Sequence, residues 1–376
     1  MMDYASHAER DRRWAALRVA MREDGLDALV VAGSDFRGQK GGLRYVTDMQ
    51  PFHRFGYAVL PVEGDPVAVL HPVLAYDTLS DWVSDKRFSP TPGSTLAQVI
   101  AAFPRHHRVG LVAMDQAMRV SDHAALVEAL PMTRFVSADA MFERVRRFKS
   151  PAELVGVAEA ATIADACFAR LLDIARPGRT HLDVHAEMLR TATALGAVET
   201  LFLTMYSEKG PGGAVPRITA PAAREIAPDA PFCFSLELTG PSGHWVEFCR
   251  IVGFSGASAG EMAELCEAST TAGLRALCPG TVGREVQRAL EEGVDPAFEV
   301  CPASGHAIGQ DVIEQPMIVR GDPGEQTFEP GMVVALHPMI HSKLAGPLGY
   351  VADTFVMEAE RPRQLSRFPR QAFMAL

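Results

Sequence analysis

The chain has 376 residues, a length that predicts two or three domains. Its 36 basic and 46 acidic side chains give a formal net charge of −10, which argues against nucleic-acid partners because phosphates need clustered Lys and Arg. No apolar run approaches the roughly 18 residues that a membrane span needs, so we expect no membrane partner either. The six cysteines form no CxxC pair, which predicts reduced thiols and a cytoplasmic location.

The first third of the sequence alternates a helical pattern with short apolar runs that are typical of strands. The predicted elements are a helix over 8–24 and strands over 28–32, 57–62, 67–70 and 109–112. The middle two strands form a predicted hairpin around the EGDP turn. This alternation predicts an α/β domain over residues 1–145.

A long helix is predicted to begin after Ser150, because Pro151 suits the first helical turn and Glu153 completes a capping box. It ends before Pro177 and is followed by a second helix over 182–195.

The same pattern recurs about a hundred residues later. The segment LLDIARPGRTHLDVHAEML around Pro177 is similar to GLRALCPGTVGREVQRAL around Pro279. The match is either coincidental or the mark of a duplicated α+β half. Duplication predicts a domain over 146–376 with pseudo-twofold symmetry and a cleft between its halves. Strands are predicted there over 231–238, 245–254 and 332–339.

Four ionisable side chains lie within or beside these predicted apolar strands, where a charge must be paired, hydrogen-bonded or functional. They are Glu237, Glu247, His306 and His337. Each alone is explained equally by local structural hydrogen bonds. Together they form an acid–base set, because histidine titrates near neutrality and a carboxylate can orient it. The glycines around His306 predict a loop that opens onto a site.

Three further residues are candidates with a structural alternative. Asp353 lies at a predicted strand start, where an aspartate also serves as a cap. Arg54 and Arg320 are suited to binding a substrate carboxylate, although surface ion pairs would explain them as well.

Four motifs together carry a family resemblance that spans residues 12–360. They are LRYVTDMQPFHRFGYAVLP, RRFKSPAELVGVAEAATIADACFARLLDIARPGRT, SGHAIGQDVIEQP and FEPGMVVALHPMI. The chain resembles the creatinase/prolidase/methionine aminopeptidase superfamily, also called M24. The resemblance implies an α/β N-terminal domain followed by an α+β "pita-bread" catalytic domain with pseudo-twofold symmetry.

The metal-binding positions of this superfamily are largely changed here. Its peptidases hold two ions with two Asp, one His and two Glu. The corresponding positions are Leu236, Glu247, His306, His337 and Ala352. The resemblance therefore implies an enzyme other than a standard dinuclear metallopeptidase, with no required cofactor. The alternative is a single divalent ion on Glu247, His306 and His337, completed by Glu237 or Asp353.

The creatinase branch is similar in its substrate-binding motif. Creatinase uses no metal and binds a small carboxylate substrate with arginines, one of them from the N-terminal domain of the partner subunit. Phe52 and Arg54 fall on its aromatic and arginine positions, and Arg320 falls near the second arginine. The resemblance implies a homodimer with a shared active site. The catalytic histidine of creatinase falls near Ala220, which argues against a strict creatinase.

The predicted function is hydrolysis of a C–N bond in a small carboxylate-bearing substrate. His306 or His337 is the general acid or base, and Glu247 orients the imidazole or receives a proton. Glu237 is a second acid or binds a cationic or polar group of the substrate. Arg54, Phe52 and Arg320 bind the substrate. The alternatives are a mononuclear metal-dependent hydrolase or a lyase similar to the dimethylsulfoniopropionate lyase of this superfamily, an Xaa-Pro peptidase of the aminopeptidase P type, and a non-catalytic binding protein on the same fold.

Overall fold

The structure is a computed structural model that describes residues 3–77, 79–210, 213–255, 258–343 and 346–375. The chain forms two compact units. Unit 1 comprises Met1–Arg146 and Gln310–Val312, and unit 2 comprises Arg147–Gly309 and Ile313–Leu376. Within the described ranges, no helix combines the length and apolarity needed to span a bilayer.

Unit 1 is an α/β layer structure. Its helices are α1 (His7–Glu23), α2 (Gly41–Thr47), α3 (Pro92–Ala101), α4 (Val120–Ala129) and α5 (Asp139–Arg146), with short 3-10 helices at Asp3–Ala5 and Pro72–Tyr76. Its strands are β1 (Ala28–Ser34), β2 (Phe55–Pro61), β3 (Val67–Leu70), β4 (Asp85–Phe88), β5 (Arg108–Val112) and β6 (Arg134–Ser137). They form one sheet in the order β4-β3-β2-β1-β5-β6.

The sheet of unit 1 is covered on both faces. Leu29 and Val31 of β1 belong to one hydrophobic cluster, whereas Ala28 and Val30 belong to the other. Alternate side chains of a strand point to opposite faces, so a continuous apolar run is what a doubly covered strand requires. The predicted hairpin is confirmed, since β2 and β3 pair antiparallel.

Unit 2 is an α+β structure. Its helices are α6 (Pro151–Ile174), α7 (His181–Ala194), α8 (Ser258–Ala276) and α9 (Gly283–Glu292). Its strands up to α8 are β7 (Thr200–Gly210), β8 (Gly213–Thr219), β9 (Phe232–Thr239), β10 (Trp245–Phe248) and β11 (Ile251–Gly253). Its later strands are β12 (Phe298–Val300), β13 (Ala303–Ala307), β14 (Glu314–Val319), β15 (Val333–Leu336), β16 (Met339–Ser342), β17 (Leu348–Tyr350), β18 (Asp353–Met357), β19 (Pro362–Gln364) and β20 (Phe373–Met374).

The strands of unit 2 form three sheets. One has the order β20-β11-β9-β7-β8 with β10 also paired to β9, another has the order β14-β13-β15-β18-β19, and a small third sheet has the order β12-β16-β17. Two helix pairs, α6–α7 and α8–α9, each follow the helix–Pro-Gly–helix pattern found in the sequence. The first pair begins at the predicted capping box, in which the Ser150 hydroxyl accepts the Glu153 amide and the Glu153 carboxylate accepts the Ser150 amide.

Three local predictions are wrong. The strand predicted over 245–254 is divided into β10 and β11, which pair with β9 in one register, and between them the Cys249 backbone also bonds to Ala352. The strand predicted over 332–339 ends at Leu336, since Pro338 lacks the amide hydrogen that a central strand needs. The segment around His306 is strand β13, with partners on both sides, and not a loop.

Gly283 sets the approach of α9 to β14. An added Cβ would lie 1.6 Å from the carbonyl oxygen of Met317, the β14 residue that pairs with His306. We expect Gly283→Ala to lower the free energy of unfolding by about 3 kcal/mol, because the backbone must shift to admit the methyl group. Urea denaturation measures the loss. Gly260→Ala in α8 is the matched control, since nothing lies within 4 Å of its added Cβ; an equal loss in both variants would contradict this assignment.

Candidate functional site

Three side chains of unit 2 form a polar group, here termed the central cluster: Glu247 and His306, which are buried, and His337, which is partly exposed. The Nε2 atom of His306 lies 3.2 Å from Oε1 of Glu247, and the Nε2 atom of His337 lies 3.8 Å from Oε2. The two imidazole centroids are 5.2 Å apart. One ligand atom from each residue lies within 4.8 Å of the others. The structure thus brings together three of the four predicted catalytic residues through direct contacts.

The register of the strands places the two histidines on one face. His306 pairs with Ala335 across β13 and β15, and His337 follows Ala335 by two residues, so both side chains point the same way. Thr354, which also pairs with Ala335, joins this face to β10. Its hydroxyl accepts the amide of Glu247 at 2.8 Å and donates to the carbonyl of the same residue at 3.1 Å. Thr354 therefore fixes the backbone that carries the carboxylate.

The pKa values of the three groups of the central cluster are shifted in different directions. Burial opposes ionisation of Glu247, yet the imidazoles of His337 and His306 hold its pKa below the usual value. Burial also opposes charge on His306, but the Glu247 carboxylate raises the pKa of this imidazole. For His337 burial dominates and lowers the pKa. These shifts favour negative charge on Glu247 and place positive charge on His306 in preference to His337.

A backbone contact fixes the orientation of the His306 ring. Its Nδ1 lies 3.0 Å from the carbonyl oxygen of Ala307, which can only accept a hydrogen bond, so Nδ1 carries a proton. The neutral ring would then turn its Nε2 lone pair towards the Glu247 carboxylate. Either a second proton or a bound cation removes this repulsion. The geometry therefore suits an acid–base pair and also a metal ligand with an anchoring hydrogen bond.

Glu237 lies on the same face as Glu247. The two residues are directly opposite each other on β9 and β10, and the carboxylate of Glu237 accepts a hydrogen bond from the Ser235 hydroxyl at 3.1 Å. Counting along the sequence without a gap places Leu236 at the family's first metal-binding position, but the strand register brings Glu237 to this face instead.

Tyr350 is a site residue that sequence reasoning missed. Its ring centroid lies 6.1 Å from that of His337 and its side chain is buried. Burial and then the nearby carboxylates of Glu247 and Glu237 raise its pKa well above the usual value, so the phenol keeps its proton. The sequence LGY is compatible with a strand whose side chains alternate between two faces, but this alternation does not show which face Tyr350 occupies.

Asp353 is separated from the central cluster. It pairs with Leu336 across β15 and β18, and so it faces the opposite side from His337. Its carboxylate binds the guanidinium of Arg250 at 2.9 Å, and burial raises its pKa to about 6. This predicted metal ligand is thus engaged in a buried ion pair.

Two of the three predicted substrate-binding residues, Arg320 and Arg54, have polar partners within their own unit. Arg320 is half exposed, and its Nε lies 2.8 Å from Glu291 of α9. Arg54 and Phe52 belong to unit 1, in the segment before β2. Arg54 has a left-handed backbone with φ of 71°, and its amide donates to the Asp35 carboxylate at 3.0 Å. Phe52 is exposed. Their binding roles stay predictions.

The central cluster fits one metal ion. Zinc and similar ions bind imidazole and carboxylate at about 2.0–2.2 Å, so three donor atoms within 4.8 Å of one another need only a small contraction. Within the described ranges this is the one group of at least three donors that could hold an ion. The donor set therefore suits a mononuclear centre and falls short of the five ligands of a dinuclear one.

The chain belongs to metallopeptidase family M24, whose sequence profile matches residues 156–358. The profile of the creatinase/prolidase N-terminal domain matches residues 13–148. These matches confirm the predicted superfamily and fold, an α/β N-terminal domain followed by an α+β pita-bread domain.

Several relatives are named as peptidases. A protein of Mycobacterium tuberculosis named "Probable dipeptidase PepE" is 26% identical over 350 residues, which cover 88% of this chain and 87% of the relative. The crystal structure of dipeptidase PepE from Mycobacterium ulcerans has a TM-score of 0.78 at 22% identity and covers 98% of this chain and 99% of its own. An X-Pro aminopeptidase from Thermotoga maritima has a TM-score of 0.81 at 14% identity, with coverage of 96% and 99%. The family and these relatives indicate a hydrolase, as predicted. The homodimer, the shared site and the cytoplasmic location stay predictions.

Proposed function

We propose that this hydrolase cleaves a C–N bond in a small substrate that carries a carboxylate, with the central cluster as its acid–base centre. The observation that supports this most directly is the contact of 3.2 Å between Glu247 and a His306 ring whose Nδ1 is already anchored on Ala307. That arrangement holds a proton between Nε2 and the carboxylate in a buried environment. A dipeptide belongs to this substrate class, as do smaller amides and amidines of carboxylic acids.

The proposed reaction uses the two imidazoles in opposite senses. The side chain of the neutral His337 is 17% exposed and accepts a proton from a water molecule. The oxygen of this water molecule bonds at the same time to the carbon of the C–N bond. The leaving nitrogen receives the proton that His306 shares with Glu247. With an amide substrate the products are an acid and an amine. Because the two oxygens of Glu247 face different imidazoles, proton transfer through this carboxylate restores the starting state.

Binding of the substrate carboxylate is assigned to Arg54 and Arg320 in this proposal, with Phe52 packing beside it in a homodimeric shared site. The side chain of Arg54 forms no ion pair within the described residues, so it is available to an anion. Arg320 must first exchange its bond to Glu291 for the substrate. A guanidinium binds a carboxylate through two parallel hydrogen bonds, which provides orientation as well as affinity.

A single-metal hydrolase is the second candidate, and the grouping of three donor atoms within 4.8 Å favours it. Glu247, His306 and His337 would hold the ion. When bound, such an ion lowers the pKa of water and polarises the bond to be cleaved. Glu237 and the protonated Tyr350 would then be further polar groups able to contact the substrate.

A substrate panel tests the proposal. The full chain, purified with and without chelator treatment, is assayed on dipeptides including Xaa-Pro, on amidino and carbamoyl derivatives of amino acids, and on the carboxamide of each compound. We expect cleavage of at least one carboxylate-bearing compound and at least a tenfold lower kcat/KM for its carboxamide. Arg54→Gln should raise KM, whereas Arg190→Gln on the exposed side of α7 should not. Equal cleavage of both forms would refute carboxylate recognition.

The chelator arm distinguishes the two candidates. Activity that survives removal of all metal supports the acid–base route. Activity that is lost and returns with one equivalent of a divalent ion per chain supports the single-metal route. A requirement for two equivalents would overturn both, because the central cluster provides ligands for one ion.

The pH dependence of kcat/KM should be bell-shaped. Catalysis needs a neutral His337, whose pKa is lowered by burial, so activity falls when the pH drops below that value. It also needs a protonated His306, whose pKa is raised by Glu247, so activity falls again at higher pH. The maximum therefore lies around neutral pH, between the two limbs. A steady increase in rate up to strongly alkaline pH would contradict the role of His306.

A further inference from the structure

Unit 2 contains a cavity of about 670 Å³ that does not include the central cluster in its lining. It lies beside the end of β7, the segment before β9 and the residues before β17. Its apolar wall includes Met205, Tyr206, Phe232 and Leu348. This volume is within the range of small-molecule sites, which are typically apolar with a few placed polar groups.

Arg224 provides the positive charge at this cavity. Its guanidinium carbon lies 4.0 Å from the centroid of the Tyr206 ring. It forms no ion pair within the described part of the chain, although arginines of this protein generally have carboxylate partners. The segment that carries Arg224 is held in place, because the amide of His181 donates to the Arg224 carbonyl at 2.8 Å. An exposed guanidinium that stacks on Tyr206 and has no ion pair among the described residues is suited to a carboxylate.

Negative charge lines the same cavity. Of its three acidic residues, Glu208 is bonded to Arg217 at 2.9 Å, whereas Glu225 and Asp229 have no ion pair among the described residues. The cavity therefore offers one available cation and two available anions beside an apolar surface. A ligand that bears both charges can pair with the cation and with an anion of this wall, whereas a simple anion or cation pairs with only one of them.

His181 marks the inner wall. It is 5% exposed, and its Nδ1 has no hydrogen-bond partner in the structure. Its ring packs against Tyr206 and Phe232, with centroid distances of 6.1 and 5.2 Å. Burial lowers its pKa to about 4, so the ring is neutral at pH 7 and Arg224 supplies the cationic charge. Buried polar atoms are normally hydrogen-bonded, so an unpartnered nitrogen in a cavity wall is a candidate to bind a ligand or a water molecule.

We propose that this cavity binds a zwitterion with an apolar body, of the class of the aromatic amino acids, independently of the central cluster. The carboxylate binds Arg224, the ammonium group binds Asp229 or Glu225, and the side chain packs between Tyr206, Phe232 and Leu348. This site goes beyond the proposed hydrolysis, because none of its residues takes part in that reaction.

Calorimetric titration of the full chain with phenylalanine tests the inference. We expect one saturable site, at least tenfold weaker binding of phenylalanine amide and of 3-phenylpropionate, and no binding of glycine. Arg224→Gln should weaken phenylalanine binding at least tenfold. Ala230→Trp, which fills the cavity from an exposed lining position, should abolish it. Arg190→Gln is the matched control and should bind as the wild type does.

Glu247→Gln separates this site from the reaction site. It should remove hydrolysis and leave phenylalanine binding unchanged. Loss of binding in Glu247→Gln would assign the amino acid to the central cluster and overturn the inference. So would wild-type affinity in both Arg224→Gln and Ala230→Trp, or the absence of saturable binding at millimolar phenylalanine. Failure of the hydrolysis proposal would not affect these results, because binding is measured without turnover.

Discussion

Glu247→Gln should lower kcat/KM by about 10³-fold or more while the chain stays folded. The amide keeps the shape of the side chain but removes the negative charge that both imidazoles face. Without it, burial lowers the pKa of His306, and the ring is no longer a proton donor near neutral pH. General acid–base catalysis typically contributes 10²–10⁴-fold, and this change disables the acid and the relay together.

Two measurements make this result specific. The pKa of His306, followed by NMR of its imidazole, should fall in Glu247→Gln. Glu187→Gln on the surface of α7 is the matched control and should leave both activity and the His306 titration as in the wild type, because its partners are Arg170 and Arg190. A Glu247→Gln enzyme with wild-type turnover would show that the central cluster is structural.

Arg250→Met should lower the free energy of unfolding by about 3–5 kcal/mol, the range for breaking a buried ion pair. Arg250 is buried, and it binds Asp353 at 2.9 Å. It also donates hydrogen bonds to four carbonyl groups, those of Cys249, Ala352, Phe368 and Pro369. Methionine fills similar volume but leaves the buried carboxylate and these carbonyls without their donor.

Urea denaturation at pH 7 measures this loss. Arg363→Met removes an exposed ion pair with Glu358 and should cost less than about 1 kcal/mol. The double variant Arg250→Met/Asp353→Asn should recover part of the stability, since the amide carries no charge to bury. If Arg250→Met is as stable as Arg363→Met, the buried pair does not hold β18 to the chain after β10.

The sequence predicted the elements whose burial follows a simple rule. The continuous apolar run over 28–32 predicted a strand, which the structure covers on both faces, and Ser150 with Glu153 marked the start of α6 because a capping box is local. Both features depend on residues within one element. The family motifs extended this to the whole fold, which the profile matches confirm.

The arrangement of the site depended on contacts between elements. The sequence named Glu247, His306 and His337 through their position in apolar strands, and the structure brings these three together. It did not predict that Glu237 shares their face while Asp353 lies on the other, because that depends on strand register. Thr354 and Tyr350 were missed for the same reason: a buried threonine or tyrosine in a strand has no pattern that distinguishes it from core.

The return of residues Gln310–Val312 to unit 1 has a practical consequence for dissecting the protein. The carboxylate of Asp311 accepts the amide of Gly41 at 2.9 Å and binds Arg146, so the start of α2 and the end of α5 rely on a residue encoded far downstream. A fragment that stops at Arg146 would lack this acceptor. A fragment that begins after Arg146 would contain Asp311 without its partners Gly41 and Arg146. Limited proteolysis or separate expression should therefore yield a unit 1 fragment of lower stability. A circular permutant keeps the whole chain and therefore retains the contacts of Asp311.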